Sequence, residues 1–234
     1  QALLGPVVSP VSTSIEQTQK LIYGDPLPGF IKNHSGPYTR EVKNQAPIHN
    51  QCALGVCHLN AETALYEQLR LKETGDLIEL STEYLAANFW IQEAQKQLLQ
   101  FDSNASISLG SLPIKSTEFI RQVGLIPKEA WKSGVDFESD VRSGQIMDQL
   151  NEVIAHTHLQ LSNLDSIQLR QMAKEQRNKI YSKIIKNSEA DIQRVFRNLL
   201  GDQPQSFMFR GQRYTPQTFA QTFFPQVHEP IFEL

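Results

Sequence analysis

Long apolar runs are missing from this 234-residue chain: none approaches the roughly 20 residues that span a bilayer, so no membrane span is expected. Cysteine is scarce too. The chain has only two, Cys52 and Cys57, five residues apart, which is no disulfide framework, and at least one is read as a free thiol. Charge of neither sign dominates, with 22 Lys and Arg against 25 Asp and Glu and a formal net charge of −3. Nothing in that balance suits a polyanion, and neither a zinc-finger spacing nor a basic arm is present, so nucleic acid is not an expected partner. No internal repeat or low-complexity tract appears. His156 and His158 stand two apart, on nearly opposite helix faces rather than on the shared face of an i, i+4 pair. They read as solvated side chains, and neither a metal nor another cofactor is expected.

What remains is ordinary for a globular protein, at 40% hydrophobic and 20% charged residues, on a chain long enough to bury a substantial core. Residues 1–46, rich in Pro, Gly, Ser and Thr around Gly24-Asp25-Pro26-Leu27-Pro28-Gly29, read as an extended arm in which only Ile15 to Ile22 suits a short helix. The first firm helix runs from Leu59 to Lys72, with Ala61, Ala64, Leu65 and Leu69 as its buried face and Thr74-Gly75-Asp76 as its stop. A second follows Ser81, a suitable N-cap, and reaches about Gln100. A third, from about Ser116 to Val123, stops at Gly124, and Leu125-Ile126-Pro127 leaves it extended. From Gly144 to Leu200 the pattern is helical in two or three pieces. Ser206 to Tyr214 reads as a hairpin turning at Arg210-Gly211, and Thr215-Pro216 opens a last short helix.

The chemistry concentrates where the first helix begins, in Pro47-Ile48-His49-Asn50-Gln51-Cys52-Ala53-Leu54-Gly55-Val56-Cys57. A thiol at a helix start sits where unpaired N–H groups and the positive dipole end favour the thiolate, the form that attacks carbonyls. Gln51, six residues upstream, is placed to aim an amide donor at the oxyanion such an attack creates. Cys52 has no such setting and reads as a structural or free thiol, with a disulfide to a cysteine outside this chain as the alternative. His58 adjoins Cys57, but consecutive helical residues point about 100° apart and do not meet, so it is not expected to be the base. His228, followed two residues on by Pro230, is equally ill placed.

These pieces together resemble the papain-like cysteine peptidases, and most closely the bleomycin hydrolase and aminopeptidase C branch. Gln51 and Cys57 stand six apart as in that family's signature; Leu80-Ser81-Thr82-Glu83-Tyr84-Leu85 is similar to its Leu-Ser-x-x-x-Leu, and Gly124-Leu125-Ile126-Pro127-Lys128 to the branch's Gly-Val-Ile-Pro-Lys. Phe207 to Val227, with Tyr214-Thr215-Pro216 and Phe219, resembles the segment that precedes the branch's catalytic His. The resemblance runs from about residue 45 onward. It implies a papain-like α+β fold, mainly helical in this chain, with a peptidase domain over 47–234, a helical insertion at about 141–200 and an incomplete β-rich lobe. It also implies Cys57 as nucleophile, Gln51 and the Cys57 N–H as oxyanion hole, Gly110 and Ser111 as substrate-binding residues, and a peptide or protein substrate.

Departures mark the same region. His58 stands where the family has Trp, Leu54 replaces a polar or cysteine residue, Asn60 a usually aromatic one, and Ser111 a glycine. The family's later His and its Asn-Ser-Trp-Gly have no counterpart. The expectation is therefore a two-chain enzyme, with the base and the Asn on a C-terminal chain of the same precursor, and a homo-oligomer is compatible with the apolar stripes of 144–200. A papain-like fold that no longer cleaves and serves as a binding or scaffold protein is the alternative, as is a shortened product of a single-chain enzyme. The chain begins at Gln1 rather than Met, which removal of a signal peptide or trimming of a zymogen would each explain, with a lean to export.

Overall fold

A computed structural model describes residues 45–47, 55–100, 107, 113–131, 140–164 and 172–229. The chain divides into Gln1–Lys43, which lies outside the described residues together with the short helix expected there, and Asn44–Leu234, to which everything below refers.

Helix α1, Cys57–Thr74, is entered through Gly55 at a φ of 68° and left through Gly75 at 71°, whose N–H closes back on the Leu71 carbonyl. The chain then extends to Leu80, which bridges antiparallel to Pro127, with Ser81 N–H donating to the Ile126 carbonyl and Lys128 N–H to that of Glu79. Ser81 caps α2, Thr82–Leu99, its hydroxyl accepting from Tyr84 N–H at 3.2 Å. This is the central helix. It packs against α1, α3, α4 and α5, and small residues at Ala86, Ala87 and Ala94, all fully buried, let those neighbours approach closely.

Helix α3, Pro113–Val123, begins three residues before the expected start, since Pro113 occupies its first position, where the missing N–H costs nothing. It stops at Gly124, as expected. A single 3₁₀ turn, Lys128–Ala130, follows. The stretch read as two or three helical pieces is the pair α4, Asp140–Leu164, and α5, Lys174–Leu200. They pack on each other through Ile146, Leu150 and Ile154 of α4 and Ile192, Val195, Phe196 and Leu200 of α5, residues at helical spacing. Ile180 and Ile184 are only half-buried, and the lysines of the first half of α5 face solvent.

Strands β1, Phe207–Phe209, and β2, Gln212–Tyr214, form the expected hairpin. Arg210 and Gly211, with φ of 49° and 81°, supply the paired left-handed residues of a two-residue turn. Helix α6, Pro216–Phe223, opens with a capping box between Thr215 and Thr218, and a 3₁₀ turn, Pro225–His228, ends the described chain. Aromatic rings hold this module together: Phe207, Phe209 and Tyr214 meet the fully buried Phe219 edge-on at centroid distances of 5.3, 5.2 and 6.0 Å. The described fold is thus α+β, mostly helical with one small sheet, and none of its described helices is long and apolar enough to cross a membrane.

Candidate functional site

Cys57 is the first residue of α1, and its side chain is exposed. The orientation comes from its neighbours: Val56 and Leu59 are fully buried and His58 is 7% exposed, so the helix is held with its one thiol outward. Val56, at the N-cap position, has no side-chain oxygen to offer the first-turn amides. The first intrahelical bonds run from Leu59 and Asn60 N–H to the Val56 carbonyl, leaving the Cys57 N–H without a partner among the described residues.

His58 turns the other way, as adjacent helical positions demand. Its ring lies 4.9 Å from that of Phe89 at 63°, and neither ring nitrogen has a hydrogen-bond partner among the described residues. Burial pushes its pKa below the ordinary 6.5, so it is held as the neutral imidazole. It occupies the interior, not a place beside the sulfur.

The remaining inner face of α1 differs from the expected alanine and leucine stripe. Ala61 is exposed and Leu65 is 51% exposed, whereas Glu62, Thr63, Tyr66 and Glu67 are buried. Directional bonds explain the choice. Glu67 Oε1 accepts the Leu80 N–H at 2.6 Å, Glu62 Oε1 accepts the Thr117 hydroxyl at 3.1 Å, and Thr63 lies 3.2 Å from the Thr82 hydroxyl. The Tyr66 phenol, buried and beside the Glu62 carboxylate, is pushed up to about 12 and stays protonated. The segment ahead of the site is tied to the same helix, Ala46 N–H donating to Gln68 Oε1 at 2.9 Å.

The far end of α1 is fastened to the C-terminal module. Arg70 donates to Asp76 at 2.6 Å and to the Phe223 carbonyl at 2.9 Å while lying over the Phe223 ring, and Arg210 grips both Asp76 oxygens at 2.6 Å. The two guanidiniums hold the Asp76 carboxyl well below the usual carboxylate range. These partners stand up to 153 residues apart, and no local pattern announces them.

Of the four site residues read from the sequence, the described structure contains Cys57; Gln51, Gly110 and Ser111 lie outside the described residues, as does Cys52. Ile107, described and buried, belongs to the core. His158 corrects the expectation of a solvated side chain: it is half-buried, and its Nε2 lies 2.9 Å from the Gln97 carbonyl, joining α4 to α2. His156 and His228 are exposed. Among the described residues no group of three metal-ligating side chains comes together.

No protein-family model matches the sequence, and no curated protein matches it. Solved structures do match. The fold resembles that of PepW. With this protein, from Lactobacillus rhamnosis, the chain shares 16% identity at a TM-score of 0.53 over 77% of its own length. The chain spans 44% of that structure. The likeness is one of fold and covers part of that structure.

Proposed function

We propose that this chain is the nucleophile-bearing part of a papain-like cysteine peptidase. The observation that supports the reading is Cys57: a thiol held outward at the first residue of a helix whose leading amide has no partner among the described residues, in a fold similar to that of PepW. The sulfur of Cys57, as thiolate, attacks the scissile carbonyl carbon, and the C–S bond forms as the carbonyl oxygen takes the negative charge. The Cys57 N–H and the Gln51 amide donate to that oxygen. Collapse breaks the C–N bond, an imidazolium protonates the departing amine, and the thioester that remains is hydrolysed by water. His58 is buried, and in this proposal the imidazole is supplied by a C-terminal chain of the same precursor.

The test is reconstitution. The chain alone should be inert toward peptides, and addition of the C-terminal polypeptide should restore hydrolysis that is lost in Cys57→Ala. Peptide cleavage by the isolated chain would refute the division of the site. A second reading, a papain-like binding or scaffold protein without catalysis, is favoured by the inward-facing His58 in place of the family's Trp. Alkylation by iodoacetamide separates the two: in the intact assembly, an ordinary thiol rate at Cys57 supports the scaffold, and a strongly enhanced rate supports the peptidase.

A further inference from the structure

We propose that the first half of α5 is a docking surface for an acidic helical segment of another protein. Charge is the first argument. The chain as a whole stands at −3, yet between Lys174 and Asn187 it carries Lys174, Arg177, Lys179, Lys183 and Lys186 against Glu175 alone. None of these cations forms an ion pair among the described residues. The second half of the same helix differs, for there Arg194 holds Asp191 at 2.6 Å and Arg197 holds Asp202 at 3.0 Å. The helix itself does not favour the excess. Lys174 and Arg177 sit at its start, where the dipole prefers anions, and Ala173 at the N-cap has no side-chain oxygen for the leading amides.

Geometry is the second. Lys179, Lys183 and Lys186 stand at i, i+4 and i+7, so they rise from one stripe of the helix. With Asn178, Ser182 and Asn187 they line a shallow groove of about 410 Å³, and all six are exposed. Ile180, Tyr181, Ile184 and Ile185 are half-buried on the opposite side. Among the described residues, no carboxylate on the helices packed against α5 neutralises the stripe. Thr157 donates to Ser188 at 2.7 Å, which fixes the register of α4 on α5, and α4 beyond Glu152 carries no carboxylate. Of the two carboxylates on α2, Glu93 is held by Lys96 and Glu83 lines the cleft beside Met208.

The lining selects the occupant. Neighbouring positions of a helical stripe lie about 5–6 Å apart, the spacing at which Glu recurs on one face of a partner helix, and amide and hydroxyl side chains between the lysines donate to the same carboxylates. A membrane surface takes exposed apolar side chains and single-stranded nucleic acid takes aromatic platforms, and the described lining has neither. Cys57 lies on neither α4 nor α5, so the surface stands or falls apart from the peptidase reading.

The probe is a capped, fluorescein-labelled, alanine-rich peptide of about 18 residues, long enough to be helical, with Glu along one face at i, i+4 and i+7, and a counterpart with Gln at the same positions. Titrated with the full chain at low salt and followed by fluorescence anisotropy, the Glu peptide should bind and the Gln peptide should bind several-fold more weakly. Lys179→Gln, Lys183→Gln and Lys186→Gln together should weaken the Glu peptide about tenfold, since three exposed ion pairs are lost. The same charge removed elsewhere, by Lys72→Gln, Lys115→Gln and Lys128→Gln, should leave binding within about twofold. All six lysines are exposed, so both variants keep the fold, which circular dichroism checks. No binding at millimolar peptide, equal binding of the two peptides, or an equal loss in the second variant overturns the surface. Tighter binding of oligothymidylate or of phosphatidylserine vesicles than of the Glu peptide overturns the acidic segment as its occupant.

Discussion

Replacing His58 by Phe should make this protein more stable. The neutral imidazole carries one donor and one acceptor, and both nitrogens are buried without partners, a condition that costs about 1–3 kcal/mol for each unsatisfied group. Phe has no polar atom to desolvate and keeps the edge-to-face contact with Phe89, worth about 0.5–1.5 kcal/mol. Its larger ring meets a closely packed neighbourhood, and overpacking takes back about 1 kcal/mol or more. The expected net gain is about 1 kcal/mol, a rise of about 2–4 °C in Tm for a chain of this size. The pH dependence is the sharper readout. The folded pKa of His58 is lowered, so above 6.5 both folded and unfolded forms are neutral and no penalty arises. As pH falls below 6.5 the unfolded chain takes up a proton that the folded chain refuses, and stability drops by at most about 1.4 kcal/mol per pH unit until the folded value is reached. Thermal unfolding of both proteins from pH 8 down to pH 5 should therefore give curves that diverge below 6.5, the variant falling less. Parallel curves would refute the buried neutral imidazole, whatever the absolute Tm values.

Gly124→Ala should lose about 2–4 kcal/mol in denaturant unfolding, because φ is +77° and the added Cβ would lie 2.4 Å from the Pro216 backbone; a loss below 0.5 kcal/mol, on the scale of a neutral surface change, would deny that close approach. Asp76→Asn should cost about 1 kcal/mol at pH 7, a figure kept small because the carboxylate is 32% exposed and screened by water. Its folded pKa is depressed, so the wild type holds this stability above about pH 4 and loses it as pH falls through the folded value, and the two urea-unfolding curves should converge in acid. Glu67→Leu should be destabilised by about 1–3 kcal/mol and Glu67→Gln by much less, since the amide oxygen can still accept the buried Leu80 N–H; equal losses by calorimetry would mean that the bond at 2.6 Å contributes nothing.

Elements whose ends are set by local chemistry were legible in the sequence. Ser81 and Thr215-Pro216 begin helices because their oxygens accept from amides two or three residues on, and Gly75 and Gly124 end helices because both adopt positive φ. The hairpin at Arg210-Gly211 is likewise a property of two residues. What escaped depends on partners far along the chain. A carboxylate such as Glu62 reads as solvent-facing until Thr117, 55 residues away, is placed against it, and Leu65 reads as core until the helix is rotated by bonds to Leu80 and Thr82. His158 escaped for the same reason, its acceptor being 61 residues distant. At the site, helix geometry foretold that Cys57 and His58 point apart, while which of them faces inward was set by the packing of Val56 and Leu59.

The start of α1 carries an apparent defect. Valine is a poor N-cap, and a Ser, Thr, Asp or Asn in its place would stabilise α1 by about 1 kcal/mol through the second or third amide of the helix, leaving that of Cys57 open in either case. The Cys57 N–H has no partner among the described residues, as the proposed oxyanion role requires. The helix does not depend on its cap for position. Glu67 to Leu80, Glu62 to Thr117, Gln68 to Ala46 and Arg70 to Phe223 tie its length to four separate stretches of chain, so the sulfur is held at a defined place by bonds that lie away from it. Local stability is given up at the start of the helix and recovered along the face away from Cys57, which is the arrangement the proposed nucleophile requires.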